Sequence, residues 1–177
     1  MEGPRLKAGS WLPLCFCTLN FVLYIQLKNL DMNAIEQTQQ AIYRAPKLNV
    51  YVTPALRVLT IQPKGNVPSA IYRAGMTAAA ETAINSKLLH WLVNAKAGGI
   101  VTPADQIWTS DVIAPRLAAA SCVRKMAFVE PDDLHTKLIL EDMMNKASDL
   151  FSFEMQFFAH AQDALVWFTD TETDTCF

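Results

Sequence analysis

Residues 48–61 decide the fold, and they read Leu-Asn-Val-Tyr-Val-Thr-Pro-Ala-Leu-Arg-Val-Leu-Thr-Ile. The apolar side chains of Leu48, Val50 and Val52 alternate with more polar ones, a pattern typical of a strand with one buried face. The Pro-Ala pair that follows makes a turn, and a second strand with β-branched residues is predicted over 56–61. The stretch therefore predicts an antiparallel hairpin at the start of a sheet.

Downstream of this hairpin, helical and strand patterns alternate along the chain. The predicted elements are, in order, a helix over 68–85, a strand over 87–94, a helix over 102–114 that breaks at Pro115, a short helix over 116–121, a strand over 125–129, a helix over 133–148, a strand over 154–158 and a helix over 161–168. Strands joined by crossover helices pair in parallel within one sheet. We therefore predict an α/β fold, a mixed sheet that begins with the hairpin and carries about four helices.

Composition excludes several classes of protein. The chain has 177 residues, of which 51% are hydrophobic and 18% charged, which is a globular rather than a disordered composition. Its formal net charge is −2 and its Lys and Arg residues form no cluster, so we expect no nucleic-acid partner. His90, His135 and His160 stand in no metal-binding or triad pattern. The sequence thus predicts a non-enzymatic protein with no catalytic residues, no metal and no cofactor.

The first 31 residues differ from the rest of the chain, because a nearly unbroken apolar run extends over 11–27. Three interpretations compete: a signal peptide, a membrane anchor, or a wrongly assigned start codon with Met32 as the true first residue. No small-x-small cleavage site precedes Lys28. The run is also shorter than the roughly 20 residues that span a bilayer. We favour the start-site interpretation over the anchor.

The remaining boundaries follow from the element pattern. One domain is predicted over 47–168, preceded by a helical or loose lead-in over 32–46 and followed by an acidic tail over 169–177. The cysteines form no C-x-x-C pair and are too few for a disulfide framework in a chain of this length; they are Cys15, Cys17, Cys122 and Cys176. Reduced thiols are the favoured interpretation, which predicts a cytoplasmic protein. Membrane tethering through 11–27 is the alternative.

Several stretches together resemble a known family. They are the hairpin ending at Gly65, the strand 88–94 with its central Trp91, VTPADQIW at 101–108, the break at Pro115, MAFVEP at 126–131 and FFAHAQDALVWF at 157–168. In order and spacing they resemble the STAS (anti-sigma-factor antagonist) superfamily, more closely its small stand-alone bacterial members of unassigned function. The resemblance covers about two-thirds of the chain. It implies a STAS-like sheet and a regulatory module that binds a protein partner, such as a regulatory kinase or an anti-sigma-like protein.

The resemblance also implies a place for regulation. In regulatory STAS proteins a Ser or Thr near the start of the helix after the central strand is phosphorylated, and here Thr102 and Ser110 are the candidates, although the family's Asp-Ser-Ser/Ala-Gly motif is absent. The alternative is that Thr102 acts only as a helix N-cap. The expected binding surface is the loop 97–101 with the following helix start; its candidate residues are Gly98, Gly99, Thr102, Asp105 and Trp108.

Aromatic and aliphatic residues near the same region favour a different function. Trp91, Ile107 and Phe128 are candidates to line an apolar pocket between the sheet and a helix. The alternative is that they only fill the core. A pocket would make the protein a carrier of an apolar small molecule or lipid. The sequence names neither the partner nor the ligand, and it leaves a homodimer open.

Overall fold

The computed structural model describes residues 38–147 and 153–169. Within these ranges one mixed sheet has its strands in sequential order, β1 to β6. The strands are β1 (Gln40–Ala45), β2 (Leu48–Thr53), β3 (Val58–Pro63), β4 (His90–Asn94), β5 (Lys125–Val129) and β6 (Glu154–Phe158). The β1/β2 and β2/β3 pairs are antiparallel, and the three later pairs are parallel.

Helices follow β3, β4, β5 and β6. They are α1 (Ser69–Asn85), α2 (Pro103–Trp108), α3 (Ala114–Ala120), α4 (Leu134–Ala147) and α5 (Ala161–Phe168). A π-helical segment, Thr109–Ile113, joins α2 to α3, so these two form one continuous helical rod. The predicted α/β class, with a mixed sheet and about four helical rods, is confirmed.

The predicted lead-in is wrong for residues 40–45, which form the edge strand β1 rather than a helical or loose segment. A register shift between Ala41 and Tyr43 interrupts the pairing with β2. Because of this irregularity, Ile42 and Tyr43 are consecutive residues that both pack against the same core. The period-two pattern that identifies a strand in a sequence is therefore lost. Residues 1–37 and 170–177 lie outside the described residues, so the candidate anchor and the acidic tail do too.

Two predicted strands begin later than expected. The predicted Pro-Ala turn is confirmed as part of a short 3₁₀ turn, Pro54–Leu56, but this turn also includes Leu56, so β3 begins at Val58 rather than at residue 56. The strand predicted from residue 87 begins at His90. Arg57 and Lys87 both have positive φ angles, outside the range of regular strand residues, and each precedes the observed start of a strand.

The rod made by α2 and α3 corrects the predicted helix break. Pro115 was expected to interrupt the helix, yet the chain remains helical from 103 to 120. A proline cannot donate the usual backbone hydrogen bond, and its ring collides with the carbonyl group four residues earlier. The wider π-helical turn just before Pro115 accommodates both effects. The helix thus changes its winding there instead of ending.

The two faces of the sheet carry different layers. One face bears Leu59 and Ile61 from β3, with their parallel neighbours Trp91 on β4 and Met126 on β5, and it is covered by helices α1, α3 and α4. The other face packs α5 against a smaller cluster that includes Leu92. Crossovers of one hand that always step to the next strand keep the connecting helices on one face.

Candidate functional site

A cavity of about 140 Å³ lies between the sheet and the helices that cover it. Four side chains of β4 and β5 form much of its floor: Trp91, Val93, Met126 and Phe128. The pairing register places Trp91 beside Met126 and Val93 beside Phe128, so these side chains form two adjacent rows on one face. The floor is therefore apolar and fixed by the backbone hydrogen bonds of the sheet centre.

Helices supply the opposite wall of the cavity. Met76 comes from α1, Ile113 from the π-helical segment, Leu117 from α3, and Met143 and Met144 from α4. With Met126 on the floor, four of the chain's seven methionines line this one cavity. Methionine side chains are flexible and polarisable, so they adapt to ligands of different shape.

One end of the cavity is polar. Tyr72, Asp105 and Thr109 line it there, and the Tyr72 and Thr109 hydroxyl oxygens are 3.0 Å apart. Thr109 donates its only hydroxyl proton to the backbone carbonyl of Asp105, at 2.8 Å. The proton shared between the two hydroxyls must therefore come from Tyr72. Burial raises the pKa of Tyr72, helped by the nearby Asp105 charge and opposed by the bond to Thr109, so the phenol stays neutral.

Asp105 is the buried charge of this region, with a residue exposure of 1%. Its carboxylate accepts hydrogen bonds from Ser69 at 2.6 Å, Arg73 at 2.7 Å and Thr102 at 2.9 Å. Burial alone would raise the pKa of Asp105, but these hydrogen bonds and the Arg73 charge outweigh it and leave the pKa below its usual value. The group ties α1 to the start of α2 beside the cavity.

Two loops close against each other next to the cavity. The Gly65 amide donates to the Ala97 carbonyl at 2.7 Å, and the Gly99 amide donates back to the Gly65 carbonyl at 3.0 Å. The Asn66 side chain accepts from the Ile100 amide at 3.1 Å. Gly98 and Gly99 also line the cavity. These glycines were predicted to lie in a binding surface, and they lie in the cavity wall, in a loop held by backbone hydrogen bonds.

The candidate pocket residues divide into two groups. Trp91 and Phe128 line the cavity. Ile107 does not, because the residue is 62% exposed on the outer face of α2. Its placement in the pocket is corrected: residue 107 lies on the side of the helix turned away from the sheet. Trp108 packs edge-on to Tyr72, with ring centroids 6.5 Å apart, and holds the Arg73 guanidinium 5.3 Å from its ring centroid.

The candidate phosphoacceptors occupy different positions. Ser110 is exposed and borders the cavity. Thr102 is exposed and caps α2: its hydroxyl oxygen accepts from the Asp105 amide at 3.3 Å. The same hydroxyl donates to the Asp105 carboxylate. This is the N-cap geometry that the sequence favoured as the alternative role. A phosphate on Thr102 would stand beside a buried carboxylate, and like charges repel.

Sequence reasoning missed much of the helical wall and the polar role of Tyr72. Tyr72 and Met76 are four residues apart on α1, which places them on one helix face. Met143 and Met144 stand in the middle of the helical pattern of α4. These signals are shared by ordinary core helices, so they could not have distinguished a cavity wall from a filled core. Only the packing distances reveal the gap.

Three further observations bear on the sequence predictions. In residues 38–147 and 153–169 no helix is long and apolar enough to cross a bilayer. The same ranges hold no cluster of three or more His, Cys, Asp or Glu side chains arranged for a metal ion. Cys122 is disulfide-bonded, so the expectation of reduced thiols is wrong at this position.

Comparison with known proteins gives no relative for this chain. It matches no family model, no curated protein and no solved structure. The STAS resemblance and the regulatory function that it implies therefore stay predictions.

Proposed function

We propose that this domain binds a small apolar molecule in the cavity between the sheet and helices α1, α3 and α4. The cavity carries the proposal, because well-packed cores leave few voids larger than one water molecule. At about 140 Å³ it is close to a known apolar cavity of about 150 Å³ that binds benzene. A ligand with a compact core of about six to ten non-hydrogen atoms matches this volume.

The lining supports an adaptable apolar site. Trp91 and Phe128 offer flat aromatic surfaces, which are enriched in ligand pockets. The methionines of the opposite wall can repack around ligands of different outline. A few polar groups at one end of such a pocket fix the orientation of the bound ligand. These features favour the carrier or sensor of a small molecule over a filled structural core.

The test compares two variants that make the same change at different places. Val93→Phe adds a ring on the cavity floor, whereas Val112→Phe adds one at a residue that is 39% exposed and outside the lining. Binding of p-xylene, measured by calorimetry and by the shift in melting temperature, should disappear in Val93→Phe and persist in Val112→Phe. Equal p-xylene binding by both variants, or none by the wild type, would refute the proposed function.

The regulatory module that the STAS resemblance implies is a second proposal, with a protein partner and phosphorylation near Thr102. The N-cap hydrogen bonds and the adjacent carboxylate of Asp105 weigh against a phosphate on Thr102. Ser110 is exposed too, and it borders the cavity. Peptide mass spectrometry of protein from its native cells decides between the two residues. Absence of phosphate at both would remove the phosphoswitch.

The cytoplasmic location and the alternative anchor at 11–27 also stay predictions. Cell fractionation of the full chain tests both, and intact-mass analysis shows whether the chain starts at Met1 or Met32. A protein found only in the membrane fraction would favour the anchor. A protein in the soluble fraction that starts at Met32 would favour the start-site interpretation.

A further inference from the structure

The hydrogen bonds at the polar end of the cavity run in one direction. Tyr72 donates to Thr109, and Thr109 donates to the Asp105 carbonyl, so each hydroxyl proton in this chain of hydrogen bonds is already used. What the Tyr72 oxygen retains is the capacity to accept. A ligand with an O–H or N–H group can donate a hydrogen bond to the Tyr72 oxygen. A ligand with only a carbonyl group finds no free proton on Tyr72.

Charge narrows the choice of ligand further. The buried carboxylate of Asp105 lines the same end of the cavity, and its oxygens are already bonded to Ser69, Arg73 and Thr102. An anionic ligand would be repelled by this carboxylate and would lose its hydration on entering. A cationic ligand would lose its hydration too, and Arg73 already pairs with the carboxylate at 2.7 Å.

We propose that the cavity selects a neutral hydrogen-bond donor with a compact apolar body, such as a phenol, an indole or an alcohol, and that Tyr72 receives its O–H or N–H group. This inference rests on the proposed function, since it assumes that the cavity binds a ligand. It goes further in naming the ligand's chemical class and Tyr72 as the residue that determines specificity.

Three probes with eight non-hydrogen atoms each separate the alternatives. p-Xylene offers no hydrogen bond, p-cresol offers a donor, and benzaldehyde offers an acceptor only. The wild-type protein should bind p-cresol about tenfold tighter than benzaldehyde, because only p-cresol satisfies its polar group on Tyr72. Calorimetric titration gives the three dissociation constants.

Two substitutions test the direction of the hydrogen bonds. Tyr72→Phe removes the acceptor, so p-cresol should bind about three- to tenfold more weakly while p-xylene is unaffected. Thr109→Val keeps the shape of residue 109 but frees the Tyr72 proton for the ligand. Benzaldehyde should then gain affinity relative to p-cresol. Binding of p-xylene by each variant shows that its cavity is intact.

The outcomes separate this inference from the proposed function. If all three probes bind equally well in the wild type and in Tyr72→Phe, the inference is overturned while the apolar cavity site stands. If benzaldehyde is preferred by the wild type, the assigned direction is wrong and the inference falls. If no probe binds, the proposed function fails and this inference fails with it.

Discussion

Among single residues, Asp105 shows how one side chain connects two helices by hydrogen bonds. At the start of α2 the Thr102 hydroxyl accepts from the Asp105 amide, as the pattern Thr-Pro-Ala-Asp predicts, and donates to the Asp105 carboxylate. The same carboxylate also accepts hydrogen bonds from Ser69 and Arg73 of α1, which lie 32 or more residues away in the sequence. The first role is local and visible in the sequence. The second depends on the packing of two helices, so no local pattern could have predicted it.

The lowered pKa of Asp105 makes stability depend on pH in a defined direction. Because the pKa is lower in the folded state, Asp105 stabilises the protein fully above the unfolded value of about 4, and this contribution is lost as the pH falls through the folded pKa. Asp105→Asn should reduce the free energy of unfolding by about 1–3 kcal/mol at pH 7. It should also flatten the decline below pH 4.

Urea unfolding from pH 7 to pH 2 measures both effects. The matched control is Asp111→Asn, which removes an exposed carboxylate from the adjacent π-helical segment. This control should keep the acid sensitivity of the wild type. If Asp105→Asn and Asp111→Asn showed the same dependence on pH, the stabilising role assigned to the buried carboxylate would be wrong.

At the scale of elements, the loop contact between Gly65 and Gly99 fixes one border of the cavity. The two glycines serve this contact for different reasons. Gly65 has a φ of +60°, a conformation that suits glycine, and a side chain there would meet no atom within 4 Å. At Gly99 a Cβ atom would lie 2.8 Å from both the Asn66 nitrogen and the Gly65 carbonyl carbon, and it would also collide with the Asn66 side chain.

These differences predict unequal effects of the same substitution. Gly65→Ala should cost about 1 kcal/mol, the strain of a left-handed alanine. Gly99→Ala should cost more, because backbone atoms have to move and the hydrogen bonds between the loops are stretched. It should also weaken p-xylene binding, which Gly65→Ala should spare. Thermal unfolding and calorimetry of the two variants test this, and equal losses would contradict the assigned role of Gly99.

The elements also show where sequence patterns succeed and where they fail. Strands β5 and β6 and helix α5 were predicted with their observed bounds. For β5 the reason is clear, since a short apolar run is closed by Glu130 and Pro131. The π-helical segment before Pro115 was missed, since a proline in a helical pattern ordinarily indicates an end. Propensity describes single residues, whereas this rod is held by its packing against the sheet and α1.

In the whole molecule, the connecting helices cover one face of the sheet and enclose the larger core, while α5 and a smaller cluster lie on the other face. The cavity lies within the larger core, next to the rows that include Trp91 and Phe128. The sequence predicted short apolar strands here, with Trp91 and Phe128 as candidates either to line a pocket or to fill the core. It could not predict that the helices leave a gap above them, because a gap is set by the summed side-chain volumes of the sheet and all the helices that cover it.

Strand β1 is part of the folded domain, although the domain was predicted to begin at residue 47. Tyr43 on β1 packs on the core and donates its hydroxyl proton to the Ile71 carbonyl on α1, at 3.4 Å. Its neighbour Ile42 packs on the same core. A chain that starts at residue 47 would lose both contacts and would leave β2 as an unpaired edge, which is prone to association.

Truncation at two points tests this domain boundary. A chain starting at residue 47 should unfold with a free energy lower by about 2 kcal/mol or more than a chain starting at residue 38, because two half-buried large side chains and one strand are removed. It should also associate at high concentration through the exposed β2 edge. Urea unfolding and light scattering measure the two effects. Since residues 38–39 precede β1, the longer chain retains every β1–β2 pair. Equal stability of the two chains would show that β1 is an accessory strand and would restore the domain boundary at residue 47.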